Sequence, residues 1–152
     1  MTETFPPILE LVPHDGRMSL LDRVIDIGAD DIRCGLTLHA ASMFCGADGV
    51  GAWVGIEYMA QTVAAFAGWE AKKRGEAIKP GFLLGTRRYL CHRSWFRPGD
   101  ALVIEARREL QAPSGLAAFE CRITVDGACC AEATLSVYQP ESVHEMLDHD
   151  KA

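Results

Sequence analysis

Trp53-Val54-Gly55-Ile56-Glu57-Tyr58-Met59-Ala60-Gln61-Thr62 begins a run to Arg74 in which apolar residues fill nearly every turn and one carboxylate, Glu57, stands close to the start. Ala60, Ala64, Ala65, Ala67 and Gly68 are small enough to admit neighbouring backbone, so the run predicts a helix from Trp53 to Arg74 that is buried on most sides. At a rise of about 1.5 Å per residue it extends roughly 33 Å, the width of a small domain, and one such helix can form the core of the whole chain. Glu57 then has two readings. It is a solvent-facing acid in the first turn, where the helix dipole favours negative charge, or it is a functional carboxylate in apolar surroundings.

On both sides of this helix the pattern changes to strands. Met18 to Ile27 and Ile32 to His39 predict a hairpin around Gly28 to Asp31, and Pro6 to Val12 a short helical turn before Pro13. After the helix, Pro98-Gly99-Asp100 marks a turn before the β-rich run Ala101 to Leu110. Phe119, Cys121, Ile123 and Val125 alternate with Glu120, Arg122 and Thr124, the period of a half-buried strand. Asp126-Gly127 makes a tight turn into a strand from Ala128 to Tyr138. Two strands, one buried helix and about four strands in meander describe an α+β layout, an antiparallel sheet wrapped around one long central helix. That is the hotdog arrangement.

The 152 residues, 49% of them hydrophobic, suit a single domain over residues 1–152, with residues 140–152 an acidic tail expected to be mobile. No run has the apolar length of a membrane span, and Met1-Thr2-Glu3-Thr4 lacks the pattern of a signal peptide, so a cytoplasmic protein is expected. Cys34, Cys45, Cys91, Cys121, Cys129 and Cys130 show no CxxC spacing and read as small core residues, not as a metal site or disulfide framework. A formal net charge of −6 argues against nucleic acid as a partner. Yet eight of the fifteen basic residues fall between Lys72 and Arg97, offset only by Glu76. Lys72, Lys73 and Arg74 read as a solvated helix end. Arg87, Arg88, Arg93 and Arg97 are either outward-facing strand residues or a site for an acidic carrier or a phosphate-bearing ligand.

Four segments, in order, resemble the 3-hydroxyacyl-acyl-carrier-protein dehydratases of the FabZ/FabA type. They are Leu11-Val12-Pro13-His14-Asp15-Gly16-Arg17-Met18-Ser19-Leu20-Leu21-Asp22-Arg23-Val24, Glu57-Tyr58-Met59-Ala60-Gln61, Phe96-Arg97-Pro98-Gly99-Asp100, and Asp126-Gly127 through Ala131-Glu132-Ala133-Thr134. Pro13-His14 together with Ala52-Trp53-Val54-Gly55-Ile56-Glu57 is similar to the ApeP-like dehydratases of aryl-polyene biosynthesis. The resemblance implies the hotdog fold and dehydration of a 3-hydroxyacyl chain, borne on an acyl-carrier protein or coenzyme A, to a trans-2-enoyl thioester. It implies no cofactor and no metal, and a homodimer or a heterodimer with another hotdog protein, the sheets joining edge to edge with the active sites at the interface.

One departure stands out. The FabZ type places a catalytic histidine fourteen residues before the helix carboxylate, and that position here is Met43 (57 − 14). Ser42 to Asp48 contains no histidine, and the nearest is His39. Either His14 takes the role or the subunit is catalytically silent. Dehydration needs a base for the α-proton, an acid for the departing hydroxyl and donors for the thioester carbonyl. His14 is the expected base, a neutral imidazole being suited to accept a proton near neutral pH, although a histidine hydrogen-bonded to backbone beside Pro13 fits equally. Glu57, in an apolar tunnel that favours the uncharged acid, would protonate the hydroxyl, and backbone N–H groups of Gly51 and Ala52 at the helix start would hold the carbonyl. His39 and His92 read as strand histidines, and His144 and His149 fall in the tail. Trp53, Tyr58, Phe82, Leu83, Leu84 and Phe96 line either an acyl tunnel or simply the core.

Two rivals remain. A hotdog thioesterase would use Glu57 to activate water against the same carbonyl, with no histidine. A non-catalytic subunit would support a partner that carries one.

Overall fold

The computed structural model describes residues 5–12, 19–78 and 81–139. Its one α-helix among these, α1 (Gly55–Lys73), follows a three-ten turn over Ala52–Val54, so helical backbone starts one residue before the expected Trp53 and becomes α-helical two residues after it. The exit is a Schellman cap: Gly75 takes φ 71°, its N–H donates to the Lys72 carbonyl at 3.0 Å, and the Glu76 N–H donates to the Ala71 carbonyl at 2.9 Å. Lys72 pairs with Glu10 and Arg74 with Glu76 on the exposed surface, as expected of a solvated helix end.

Among the described residues nine strands accompany the helix: β1 (Arg23–Ile27), β2 (Asp31–Thr37), β3 (Cys45–Gly46), β4 (Gly49–Gly51), β5 (Phe82–Cys91), β6 (Trp95–Phe96), β7 (Ala101–Gln111), β8 (Leu116–Val125) and β9 (Ala128–Tyr138). Six form an antiparallel sheet in the order β1-β2-β7-β8-β9-β5, the hotdog arrangement. The expected meander holds for β7, β8 and β9 but not for β5. The edge of β7 that β5 would have used is taken by β2, in an unbroken ladder from Asp31 opposite Arg107 to Thr37 opposite Ala101, so β5 crosses to the free edge of β9. The strand expected from Met18 begins only at Arg23, residues 19–22 being described and not strand, and Met18 itself lies outside the described residues. A second small sheet, β3-β4-β6, was not expected, because strands of two or three residues carry no readable period.

Alternation decides what the sheet buries. Phe119, Cys121, Ile123 and Val125 of β8, with Leu102, Ile104 and Ala106 of β7, face the helix, and Phe66 of α1 meets Phe119 edge-on at 5.9 Å. On the opposite helix flank Gly68 admits the chain entry: a Cβ there would lie 1.8 Å from the Leu11 carbonyl oxygen. Leu11 and Val12 are buried against the core by that approach. The Pro98-Gly99-Asp100 turn is fastened to the end of β2, with the Gly99 N–H donating to Leu38 at 2.7 Å and the Leu38 N–H donating to Asp100 at 2.9 Å.

Gly68→Ala, which forces helix and entry segment apart, should cost about 1–3 kcal/mol in urea unfolding; an unchanged midpoint would show that the segment is not held there. Burial pushes the Tyr58 phenol from 10.0 to about 12, and the Cys34 and Cys121 thiols from 9.0 to about 12. All three ionise more readily unfolded than folded, so the stability they contribute is complete below pH 9.0 and should be lost progressively toward pH 12. A urea midpoint that stays flat from pH 9 to pH 12 would contradict this.

Candidate active site

Glu57 occupies the first turn of α1, where the unpaired amides of a helix start favour an acid. Its carboxylate faces open space in the single chain, so the solvent-facing reading holds at that level. It is nevertheless held. One turn further along, Gln61, only 1% exposed, donates its amide Nε2 to Glu57 Oε1 at 3.2 Å, and its Oε1 accepts the Leu20 N–H at 2.8 Å. Because that backbone N–H requires an acceptor, the amide oxygen must face Leu20, which turns the NH₂ group toward Glu57. Gln61 stood in the sequence only as part of a motif; its function as the brace of the carboxylate comes from the fold.

A cavity of about 450 Å³ runs along this face of the helix. Glu57 and Glu70 mark its ends, thirteen residues apart or roughly 20 Å. Ala60, Val63, Ala64 and Ala67 form its floor, and Leu83 of β5 with Val137 of β9 its wall. The small side chains of the helix therefore leave room instead of filling it. Of the residues expected to line a tunnel, Leu83 does so. Tyr58 and Phe96 instead pack on each other within the core, at 6.2 Å between ring centres. Leu84 is exposed, Trp53 is 67% exposed and meets Trp95 edge-on, and the side chain of Phe82 lies outside the described residues.

The helix start departs from expectation at Ala52. Its N–H donates to the Ser94 carbonyl at 3.0 Å, tying the turn to the chain before β6, so this amide is not available to a thioester carbonyl. Gly51 sits at the end of β4 opposite Trp95. The Ala52 carbonyl accepts a hydrogen bond from the Tyr89 hydroxyl of β5, a contact that sequence reading missed because nothing local marks it.

Met43 is 38% exposed and borders a second cavity, of about 360 Å³, with His39, Ser42 and Tyr58. The His39 N–H donates to Ser42 Oγ at 3.0 Å. His14, His144 and His149 lie outside the described residues, and His92 is exposed. Within the basic group, Arg93 is held by Asp100 at 2.9 Å and so braces the Pro98-Gly99-Asp100 turn, whereas Arg87, Arg88 and Arg97 are exposed. Among the described residues no cluster of histidine, cysteine and acidic side chains could hold a metal ion, and no helix is long and apolar enough to cross a membrane.

Residues 6–148 match the model of the ApeP-like family, described as ApeP dehydratase. The chain belongs to the ApeP-like dehydratase family. A chain of the dehydratase heterocomplex ApeI:P from Xenorhabdus doucetiae is 30% identical, with a TM-score of 0.89 over 98% of this chain and 100% of that one. More distant likenesses show the fold alone. They include a hypothetical thioesterase with coenzyme A from Streptococcus pneumoniae TIGR4, 11% identical over 76% of this chain and 83% of that one, with a TM-score of 0.60. Zebrafish thioesterase superfamily member 2 is 14% identical over 83% of this chain and 86% of that one, with a TM-score of 0.63. Comparison with curated proteins finds no match to the sequence.

The brace makes a prediction that separates stability from function. Gln61→Leu strips Glu57 of its partner and leaves the half-buried Leu20 N–H without this acceptor, which should cost about 1–3 kcal/mol in urea unfolding. Glu57→Gln, at an exposed position, should stay within about 0.5 kcal/mol of the wild type. The reverse order of effects would mean that Glu57 is part of the scaffold and not a group the scaffold serves.

Proposed function

We propose that this ApeP-like chain dehydrates 3-hydroxyacyl thioesters, borne on an acyl-carrier protein, to trans-2-enoyl thioesters, in the cytoplasm and within aryl-polyene or similar chain elongation. The observation that carries the reading is the braced carboxylate of Glu57 at one end of a long cavity floored by alanines. An acyl chain would lie along the cavity with its thioester end beside Glu57. A base removes the α-proton, the electron pair forms the Cα–Cβ double bond, and the β-hydroxyl leaves as water with a proton from Glu57. The base then returns its proton to the carboxylate through solvent. We assign the base to His14. The Gly51 N–H is the proposed donor to the carbonyl, and Arg87, Arg88 and Arg97 the proposed contacts for an acidic carrier.

The site is proposed to be completed by a second hotdog chain on the free edge of β5. Leu83, Leu84 and Leu90 are exposed there, and unpaired strand edges in natural sheets are seldom left uncovered. Met43 favours a second reading within the same assembly, in which the partner supplies the catalytic histidine and this chain the scaffold. A thioesterase would need only Glu57 and water, and its products would be the free acid and a thiol.

The test incubates the purified chain with 3-hydroxyacyl-carrier protein, alone and with a histidine-bearing hotdog partner, and detects loss of one water by mass spectrometry. Water loss by the chain alone, abolished in Glu57→Gln and His14→Ala, is the expected result. Activity only with the partner, insensitive to both substitutions, would make this chain the supporting half, and free acid would make it a thioesterase.

A further inference from the structure

The geometry points to Tyr89 as a positioning residue that fixes the start of α1, and through it Glu57, against the edge strand β5. Three independent features converge on its hydroxyl. The ladder between β5 and β9 skips between Arg87 and Leu90, and within that skip Arg88 adopts φ 53°, a conformation unusual for a residue with a side chain. Such a bulge re-aims the side chain that follows it. Here it turns Tyr89 toward the helix while Leu90 stays outside, 54% exposed. The hydroxyl donates to the Ala52 carbonyl in the three-ten turn that leads into the helix.

The third feature is on the helix itself. A Cβ at position 55 would lie 2.2 Å from the Tyr89 hydroxyl oxygen and 3.1 Å from Ile123 Cδ1, so Gly55 leaves the space that the phenol occupies. Burial, followed by the neighbouring Cys91 thiol, raises the phenol above its usual range. Ala52 is therefore gripped twice, its N–H by Ser94 and its carbonyl by Tyr89. Glu57 lies two residues beyond Gly55, and its far side is braced by Gln61. Loss of the hydroxyl would let the helix start shift relative to β5 while leaving the core behind it intact.

The inference rests on the dehydratase reading, and the test carries one arm that does not. Hydrogen exchange in Tyr89→Phe, followed by mass spectrometry on peptides covering residues 52–57, should rise about tenfold in rate, the order expected for one lost hydrogen bond. Peptides from β7 and β8 should be unchanged. In the dehydration assay with the partner present, the same variant should lower kcat about tenfold and move KM less than twofold. Gly55→Ala, which evicts the hydroxyl, should give the same loss, and should add little to it in the Tyr89→Phe background. Faster exchange with kcat unchanged would reduce Tyr89 to a structural contact, and unchanged exchange with unchanged kcat would remove the inference altogether. Absence of dehydration by the wild type refutes the dehydratase reading instead, and the exchange arm still reports whether Tyr89 anchors the helix.

Discussion

A helix enclosed by a six-stranded sheet can keep a carboxylate in a defined place only if the helix itself cannot slide or roll. In this chain that freedom is removed at three levels along α1. Gly68 brings the Leu11 backbone against the C-terminal half, closer than any side chain would permit. Gln61 ties the middle to Leu20 through a hydrogen bond from a half-buried backbone N–H, which is costly to leave unmade. Tyr89 and Ser94 hold the two polar groups of Ala52 at the start. The opposite flank is fixed by packing, with Phe66 on Phe119 and the Arg108 guanidinium over the Phe66 ring at 5.0 Å. Arg108 in turn bridges Glu70 at 2.7 Å and Asp30 at 3.0 Å, locking the last turns of the helix to β7 and the β1–β2 turn. The cavity survives because clamping is concentrated at these points and the alanine face between them is left uncovered.

The elements that were legible beforehand are those with long local signals. The helix announced itself through nineteen helical residues of apolar spacing, β8 through strict alternation, and the β8–β9 hairpin through Asp126-Gly127, both of which adopt positive φ. Other features had no local signal. The place of β5 depends on β2 having taken the edge of β7, a competition between strands far apart in sequence. The β3-β4-β6 sheet is too short to have a period. The same distinction applies to the site. Glu57 was visible as a carboxylate among apolar residues, but its brace needs Leu20, forty-one residues away from Gln61, and the grip on Ala52 needs Tyr89, thirty-seven residues away. Ala52 itself was misread, because a helix start offers free amides only when no neighbouring strand claims them, and here the residue before β6 does.

Met43 borders the second cavity and not the one that Glu57 opens. A methionine in place of an imidazole supplies neither a proton acceptor nor a hydrogen-bond donor, yet it fills irregular space without strain. His39 and Ser42, which share that cavity, are linked to each other through the His39 backbone N–H. The described part of the chain thus places one titratable group on the long cavity near the helix start, and acid–base chemistry across a carbon–carbon bond needs two. On the proposed dehydratase reading, the second is assigned to His14 or to a partner chain.

The edge strand bears on which of these sources dominates. β5 carries Leu83, Leu84 and Leu90 in exposed positions, and Leu83 is also a wall of the cavity. A chain pairing with this edge would cover the leucines, close one side of the cavity and remove water from around Glu57 in a single step. The two bulges in β5, at Leu84 and at Arg88–Tyr89, would then serve different ends. Each prevents a long flat edge from pairing indiscriminately, and the second also turns Tyr89 inward to the helix start. Assembly and positioning would thereby be coupled through one strand, since whatever orders β5 also orders the residue that holds Ala52.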